Sequence, residues 1–162
     1  RTEEKVMSAN LDPGLFGIYE DLILTRNGIW LSNGEEITHE RTVLAFSRNL
    51  YRCKEGFEIR LGHEKKNVHV EDTLYFVVRL EGDPILGYSI ELNDGRLLEL
   101  DPETLHYHRG RLTCRVPHPN EGTTEEAKFL TQAYYELLKH LEKTQDGFSI
   151  TIDGKTILLR ED

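Results

Sequence analysis

Asp146-Gly147-Phe148-Ser149-Ile150-Thr151-Ile152 repeats the pattern of Glu55-Gly56-Phe57-Glu58-Ile59-Arg60-Leu61. In both, an acidic residue and a glycine make the turn, and an aromatic then opens an alternation of apolar and polar residues. Alternation with period two is the mark of a half-buried strand. The two phenylalanines lie 91 positions apart, and the same offset carries Phe46 onto Leu137 and Leu50 onto Leu141. The stretch before each strand therefore superposes as well. In the first copy Thr38 reads as the cap of a helix whose apolar positions are Val43, Phe46 and Leu50, ended by Glu55-Gly56. In the second, Thr123-Thr124-Glu125-Glu126 reads as a capping box, opening a helix with Ala127, Leu130, Tyr134, Leu137, Leu138 and Leu141 on one face.

Each helix is preceded by hairpin chemistry. Leu22 to Thr25 runs into Asn27-Gly28 and then Ile29-Trp30-Leu31, with a further turn at Asn33-Gly34. Asn-Gly suits a type I′ turn, in which both central residues need positive φ. Leu105 to His108, Arg109-Gly110 and Arg111 to Val116 make the corresponding hairpin of the second copy. Its glycine lies only 82 positions from Gly28, so the second copy is expected to have a longer loop or helix. Between the copies, Leu74 to Val78, Tyr88 to Leu92 and Leu97 to Leu100 read as further strands. The expected architecture is α+β: two repeated hairpin–helix–strand modules packed around antiparallel β-sheet. Residues 1–17 read as an N-terminal arm with turn chemistry at Asp12-Pro13-Gly14. Residues 18–84 read as the first module and 85–162 as the second, tightly packed as one domain or as two small ones.

Composition narrows the functional classes. The 162 residues carry 30% charged and 38% hydrophobic side chains and a net charge of −9. No apolar run approaches the ~20 residues of a membrane-spanning helix. The acidity argues against nucleic acid as a partner, since phosphate contacts need a basic surface. Cys53 and Cys114 are far apart and outside any C-x-x-C pattern, so free thiols are expected. Residues Arg1 to Met7 are charged and hold no apolar core of a signal peptide, so a soluble, cytoplasmic protein is expected.

Against this acidic background the second-copy hairpin stands out. Pairing across a two-residue turn sets residue 108 opposite 111 and 106 opposite 113. His106, His108, Arg111, Thr113 and Arg115 then share one face, while Leu105, Tyr107, Leu112, Cys114 and Val116 share the other. The first face suits a phosphate or carboxylate ligand. The competing reading is a solvated face whose arginines pair with nearby carboxylates. His106-x-His108 has the spacing of two metal ligands, with His118 near in sequence, but two arginines on that face repel a cation, so no metal is assigned. Glu71-Asp72 offers paired carboxylates that read more simply as a turn. Trp30 reads as core. Motifs for nucleophilic, nucleotide or zinc chemistry are absent, and no catalytic residue or cofactor is assigned.

Three segments together resemble a known family. These are Asn27-Gly28-Ile29-Trp30 with Ile37 and the helix Val43-Leu44-x-Phe46-Ser47-x-x-Leu50-x-Arg52; Val70-Glu71-Asp72-Thr73-Leu74-Tyr75-Phe76; and Tyr134-Tyr135-Glu136-Leu137-Leu138. Over residues 18–159 the chain resembles the bacterial domain-of-unknown-function family numbered 1285. Thr73-Leu74 stands where that family has a small residue and a proline. The resemblance implies an α+β fold with repeated motifs and a role in signal transduction or ligand sensing, and it supplies no catalytic residues. Together these readings point to a non-enzymatic sensor or binding protein for an anionic metabolite, acyl-thioester or nucleotide-like. The alternatives are a protein–protein interaction adaptor and a hydrolase or transferase.

Overall fold

The computed structural model describes residues 13–161 and divides the chain into two units, Arg1–Leu74 and Tyr75–Asp162. Among the described residues there are fifteen strands and three α-helices, so the protein is α+β and rich in strand. No helix is long and apolar enough to cross a membrane among the described residues.

In the first unit, helix α1 (Pro13–Ile18) leads to strands β1 (Leu22–Leu24), β2 (Trp30–Ser32) and β3 (Glu35–Glu36). Helix α2 (Glu40–Arg48) and strands β4 (Leu50–Cys53), β5 (Gly56–Leu61) and β6 (Glu64–Val70) follow. The six strands form one sheet in the order β3-β2-β1-β6-β5-β4. The sheet is mixed, not antiparallel throughout, because β1 runs parallel to β6 with Leu22 beside Val68 and Leu24 beside Val70. Those four apolar residues supply the alternation that draws two distant strands together. Phe46 of α2 is fully buried, edge-on to the rings of Phe16, Tyr19 and Trp30 at 5.5–5.7 Å. Trp30 is core, as its sequence reading has it, and its Nε1 donates to Ser47 Oγ at 3.2 Å.

Several local expectations change here. Part of the expected arm is helix α1, with proline at its first position, where a missing N–H costs nothing; residues 1–12 lie outside the described residues. The Asn27-Gly28 turn is wider than a two-residue one. Thr25 N–H donates to Ile29 O, Thr25 Oγ1 accepts from the amides of Asn27 and Ile29, and only Gly28 takes positive φ. The paired positive φ of a type I′ turn occurs instead at Asn33 (51°) and Gly34 (82°). Glu71 acts at the wider turn: its Oε1 accepts the Arg26 amide at 2.9 Å, so this carboxylate holds a loop in place. Helix α2 is capped by His39 and not Thr38, the imidazole Nδ1 accepting from the Thr42 amide. It also stops before Leu50, which heads β4. Leu50 meets both the helical spacing from Phe46 and the strand pattern, and antiparallel pairing with Ile59 decides between them.

The second unit begins with β7 (Tyr75–Asp83), β8 (Gly87–Leu92) and β9 (Leu97–Glu99), a short 3₁₀ turn (Pro102–Thr104), and the hairpin β10 (His106–His108) and β11 (Arg111–Pro117). Strand β12 (Thr124–Phe129), helix α3 (Thr131–Leu138) and strands β13 (Leu141–Thr144), β14 (Gly147–Ile152) and β15 (Lys155–Leu158) complete it. One sheet has the order β10-β11-β12-β7-β8-β9, again with one parallel pair, β12 with β7. The last three strands form their own sheet. The capping-box reading fails at β12. Glu125, Ala127 and Phe129 are buried at alternating positions, and the segment pairs with β11 on one side and β7 on the other. Helix α3 starts only after it and has no side-chain cap. The expected longer helix is therefore a strand followed by a short helix.

Candidate functional site

The hairpin at 106–117 forms because Leu105, Leu112, Cys114 and Val116 are all buried on one side of a two-residue turn. Arg109 takes φ 47° and Gly110 φ 82° at that turn. Positive φ is unusual for arginine, and here the right-handed twist of the flanking strands requires it. His106 lies opposite Thr113 and His108 opposite Arg111, the register expected from the sequence.

The side chains on this face differ in how they are engaged. One Glu126 carboxylate receives Arg111 Nη2 at 3.3 Å and the Thr113 hydroxyl at 3.5 Å. Arg115 donates through Nε to Thr124 Oγ1 at 3.1 Å and through Nη2 to Thr124 O at 2.9 Å. Thr113 is buried, whereas Arg115 is exposed and both histidines and Arg111 are half-buried. Pairing with β12 sets Lys128 beside Thr113 and Glu126 beside Arg115. The competing reading of a face with internally paired arginines thus describes Arg111 as it stands.

Two further cations join this edge that the sequence reading missed. After β15 the chain runs parallel to β10: Tyr107 N–H donates to Arg160 O at 2.8 Å and Arg160 N–H to Leu105 O at 3.1 Å. This brings Arg160 into register with His106. Arg109, at the turn, is exposed. Neither Arg109 nor Arg160 spends its guanidinium on a hydrogen bond or ion pair among the described residues. The apolar Ile157 and Leu159 mark a strand-like approach to Arg160, but a single sequence does not say which edge that strand meets.

The other chemical groups nearby are quiet. Burial, then the charge of Asp101, pushes the Cys114 thiol up to about 12, so it stays protonated and unreactive. Burial, then a hydrogen bond with Tyr107, pushes Tyr134 up to about 12 as well. His118 is buried, and its Nδ1 accepts the amides of Asn120 and Glu121 at 3.1 and 3.2 Å, closing its own loop. Among the described residues no three His, Cys, Asp or Glu side chains are grouped to hold a metal ion.

No family model matches the chain, and no curated protein matches it. Two solved structures do. One is a DUF1285 family protein from Silicibacter pomeroyi, with 18% identity, 99% of this chain and 96% of that chain covered, and a TM-score of 0.60. The other is a DUF1285 family protein from Shewanella baltica, with 18% identity, 73% and 90% covered, and a TM-score of 0.56. At this identity the likeness is one of fold. The family resemblance read in the sequence is matched by the fold of two of the family's bacterial members.

Proposed function

We propose that this chain, sharing the fold of those two proteins, is a non-enzymatic binding protein that senses a small anionic metabolite. The observation that carries the reading is the arrival of Arg160, from the end of the chain, beside a hairpin that already holds His108, Arg109, Arg111 and Arg115. In a chain of net charge −9, gathering cations on one strand edge favours a phosphate or carboxylate. The Arg111–Glu126 pair does not oppose this. Its partners are 34% and 41% exposed, and such a pair contributes only about 0–1 kcal/mol, so a ligand oxyanion can replace the carboxylate. An acyl-thioester or a nucleotide suits the mixture of charge and apolar surface.

The same proposal takes the chain as a repeated module. Helix 40–48 and strands 50–53 and 56–61 recur as helix 131–138 and strands 141–144 and 147–152, with an offset of 91 residues at each start. The cations lie beside the second copy.

The test is thermal stabilisation of the full chain by inorganic phosphate, ATP, acetyl-coenzyme A and a fatty acid. Ligand at a hundred times its Kd adds about 2.7 kcal/mol. Arg109→Asn with Arg160→Ala removes two guanidinium groups that hold no other described residue, so the apo protein should keep its stability and lose the shift. A flat panel, or binding that survives the double substitution, removes the hairpin site. The adaptor alternative has its own support in Ile85 and Leu86, 76% and 83% exposed on a turn whose two amides both donate to Asp83. Retention of a protein partner by the wild type but not by Ile85→Ser with Leu86→Ser would favour it.

A further inference from the structure

The first unit contains a cleft of about 890 Å³, in the range of about 300–1,000 Å³ usual for small-molecule sites. Its floor is the parallel seam of β1 and β6, where Ile23 lies beside His69 and Leu22 beside Val68. One wall is the segment 19–21 and the other the turn at Asn33-Gly34. The two walls are stitched together. Glu20 N–H donates to Ser32 Oγ, while Ser32 Oγ and Asn33 N–H both donate to Glu20 O, all at 2.9–3.0 Å. Asp21 and Asn33 take φ of 48° and 51°, a left-handed conformation that these two residue types tolerate. The walls are thus fixed before any ligand arrives, which lowers the cost of binding.

Seven polar side chains line the cleft, and besides Tyr19, Glu20 and Lys66 there are four: Asp21, Asn33, Asn67 and His69. All four are exposed, and none of these side chains is spent on a hydrogen bond or ion pair among the described residues. The remaining charges select the ligand class. Lys66 Nζ is engaged by the carbonyls of Gly17 and Tyr19 and lies 3.6 Å from Glu20 Oε1. With Lys66 so engaged, none of the described residues lining the cleft offers Asp21 a free cation, which disfavours an anionic ligand. The set offers carboxylate acceptors, amides that both donate and accept, and an imidazole, over an apolar strip at Ile23. A hydroxyl donates once and accepts twice, so a ring of hydroxyls meets such a set on equal terms.

We infer that this cleft is a binding site for a neutral saccharide, held by Asp21, Asn33, Asn67 and His69 over Ile23. The site shares no residue with the cationic hairpin, and the inference does not depend on it.

The experiment is an amide NMR titration of the isotopically labelled full chain. The probes are glucose, galactose, N-acetylglucosamine and maltose, with glucosamine, spermidine and inorganic phosphate as charged comparisons. At least one neutral sugar should shift the amides of Asn33, Gly34, Asn67 and His69 saturably at millimolar concentration. Asp21→Gly with Asn67→Ala should weaken that sugar about tenfold or more without loss of fold, since glycine accepts the left-handed backbone at 21 and neither side chain bonds another described residue. Arg109→Asn with Arg160→Ala should leave it unchanged. The inference is overturned if no neutral sugar moves these amides, if only glucosamine or spermidine does, or if the response persists in the Asp21, Asn67 variant.

Discussion

The block at 40–61 and the block at 131–152 run through the same elements, a short helix and two antiparallel strands, and then diverge. In the first, β6 is seven residues long and continues into parallel pairing with β1, so the block becomes half of a six-stranded sheet. In the second, β15 has four residues and the sheet ends at three strands. The chain beyond it meets β10 instead, delivering Arg160 to the cationic edge. Local pattern makes the block in both places. What lies past its last strand decides which sheet it joins, and in the block at 131–152 that remainder goes to the edge where we place the ligand.

The largest expected effects lie in the buried positions of each block. Phe46 and Leu137 occupy equivalent positions and are both fully buried, but Phe46 makes three edge-on ring contacts and Leu137 none. Phe46→Ala should destabilise by about 3–5 kcal/mol and Leu137→Ala by about 2–5, read by chemical denaturation. Equal losses at the lower end would mean that the aromatic cluster adds nothing to the block at 40–61.

The two turn glycines sharpen the comparison at a smaller scale. Gly56 and Gly147 take φ of 140° and 129°, which L side chains rarely adopt. A Cβ at Gly56 meets open space, whereas one at Gly147 meets Glu161 Oε2 at 3.0 Å. Gly56→Ala should cost about 1–3 kcal/mol from backbone strain alone. Gly147→Ala should cost about the same, because the exposed Glu161 carboxylate can swing aside; any excess that Glu161→Ala recovers would show that it cannot. The absence of that recovery would leave strain as the whole effect.

These pairs also show what the sequence could and could not reveal. Phe57 and Phe148, Ile59 and Ile150, and the glycines before them carry their meaning locally, because turn geometry and strand alternation are short-range properties. The hairpin register at His108 and Arg111 was legible for the same reason. Residues 124–129 were not: Thr-Thr-Glu-Glu satisfies a capping box, yet pairing with β11 and β7 outweighs a helix start worth about 1 kcal/mol. Leu50 was ambiguous because two periods coincide on it. Arg160 and the Asp21–Asn67 cleft were hidden altogether, since each depends on strands that meet across long stretches of chain.

Helix capping gives the next contrast. His39 caps α2 through Nδ1, and α3 has no side-chain cap to lose. His39→Ala should lower stability by about 0.5–2 kcal/mol, and His39→Asn should restore it, because either acceptor reaches the Thr42 amide. A neutral alanine substitution would make the two helix starts energetically alike.

The smallest contrast appears only in alkali. Position 43 in the first block is valine, and 91 residues on, in the second block, stands Tyr134, whose phenol is held up to about 12 by burial and then by its bond with Tyr107. An unfolded tyrosine ionises near about 10. Below that pH both states keep the proton and the contribution is complete. Between about 10 and 12 the unfolded state loses the proton while the folded state retains it, so stability falls as pH rises. Other tyrosines contribute to the same fall, and Tyr134→Phe isolates this one. The difference in denaturation midpoint between wild type and Tyr134→Phe should be constant up to about pH 9 and should shift against the wild type by about pH 11. A difference that stays flat across that window would mean that Tyr134 ionises in the fold as it does in water. The second helix would then be no more closely packed at that position than a solvated one.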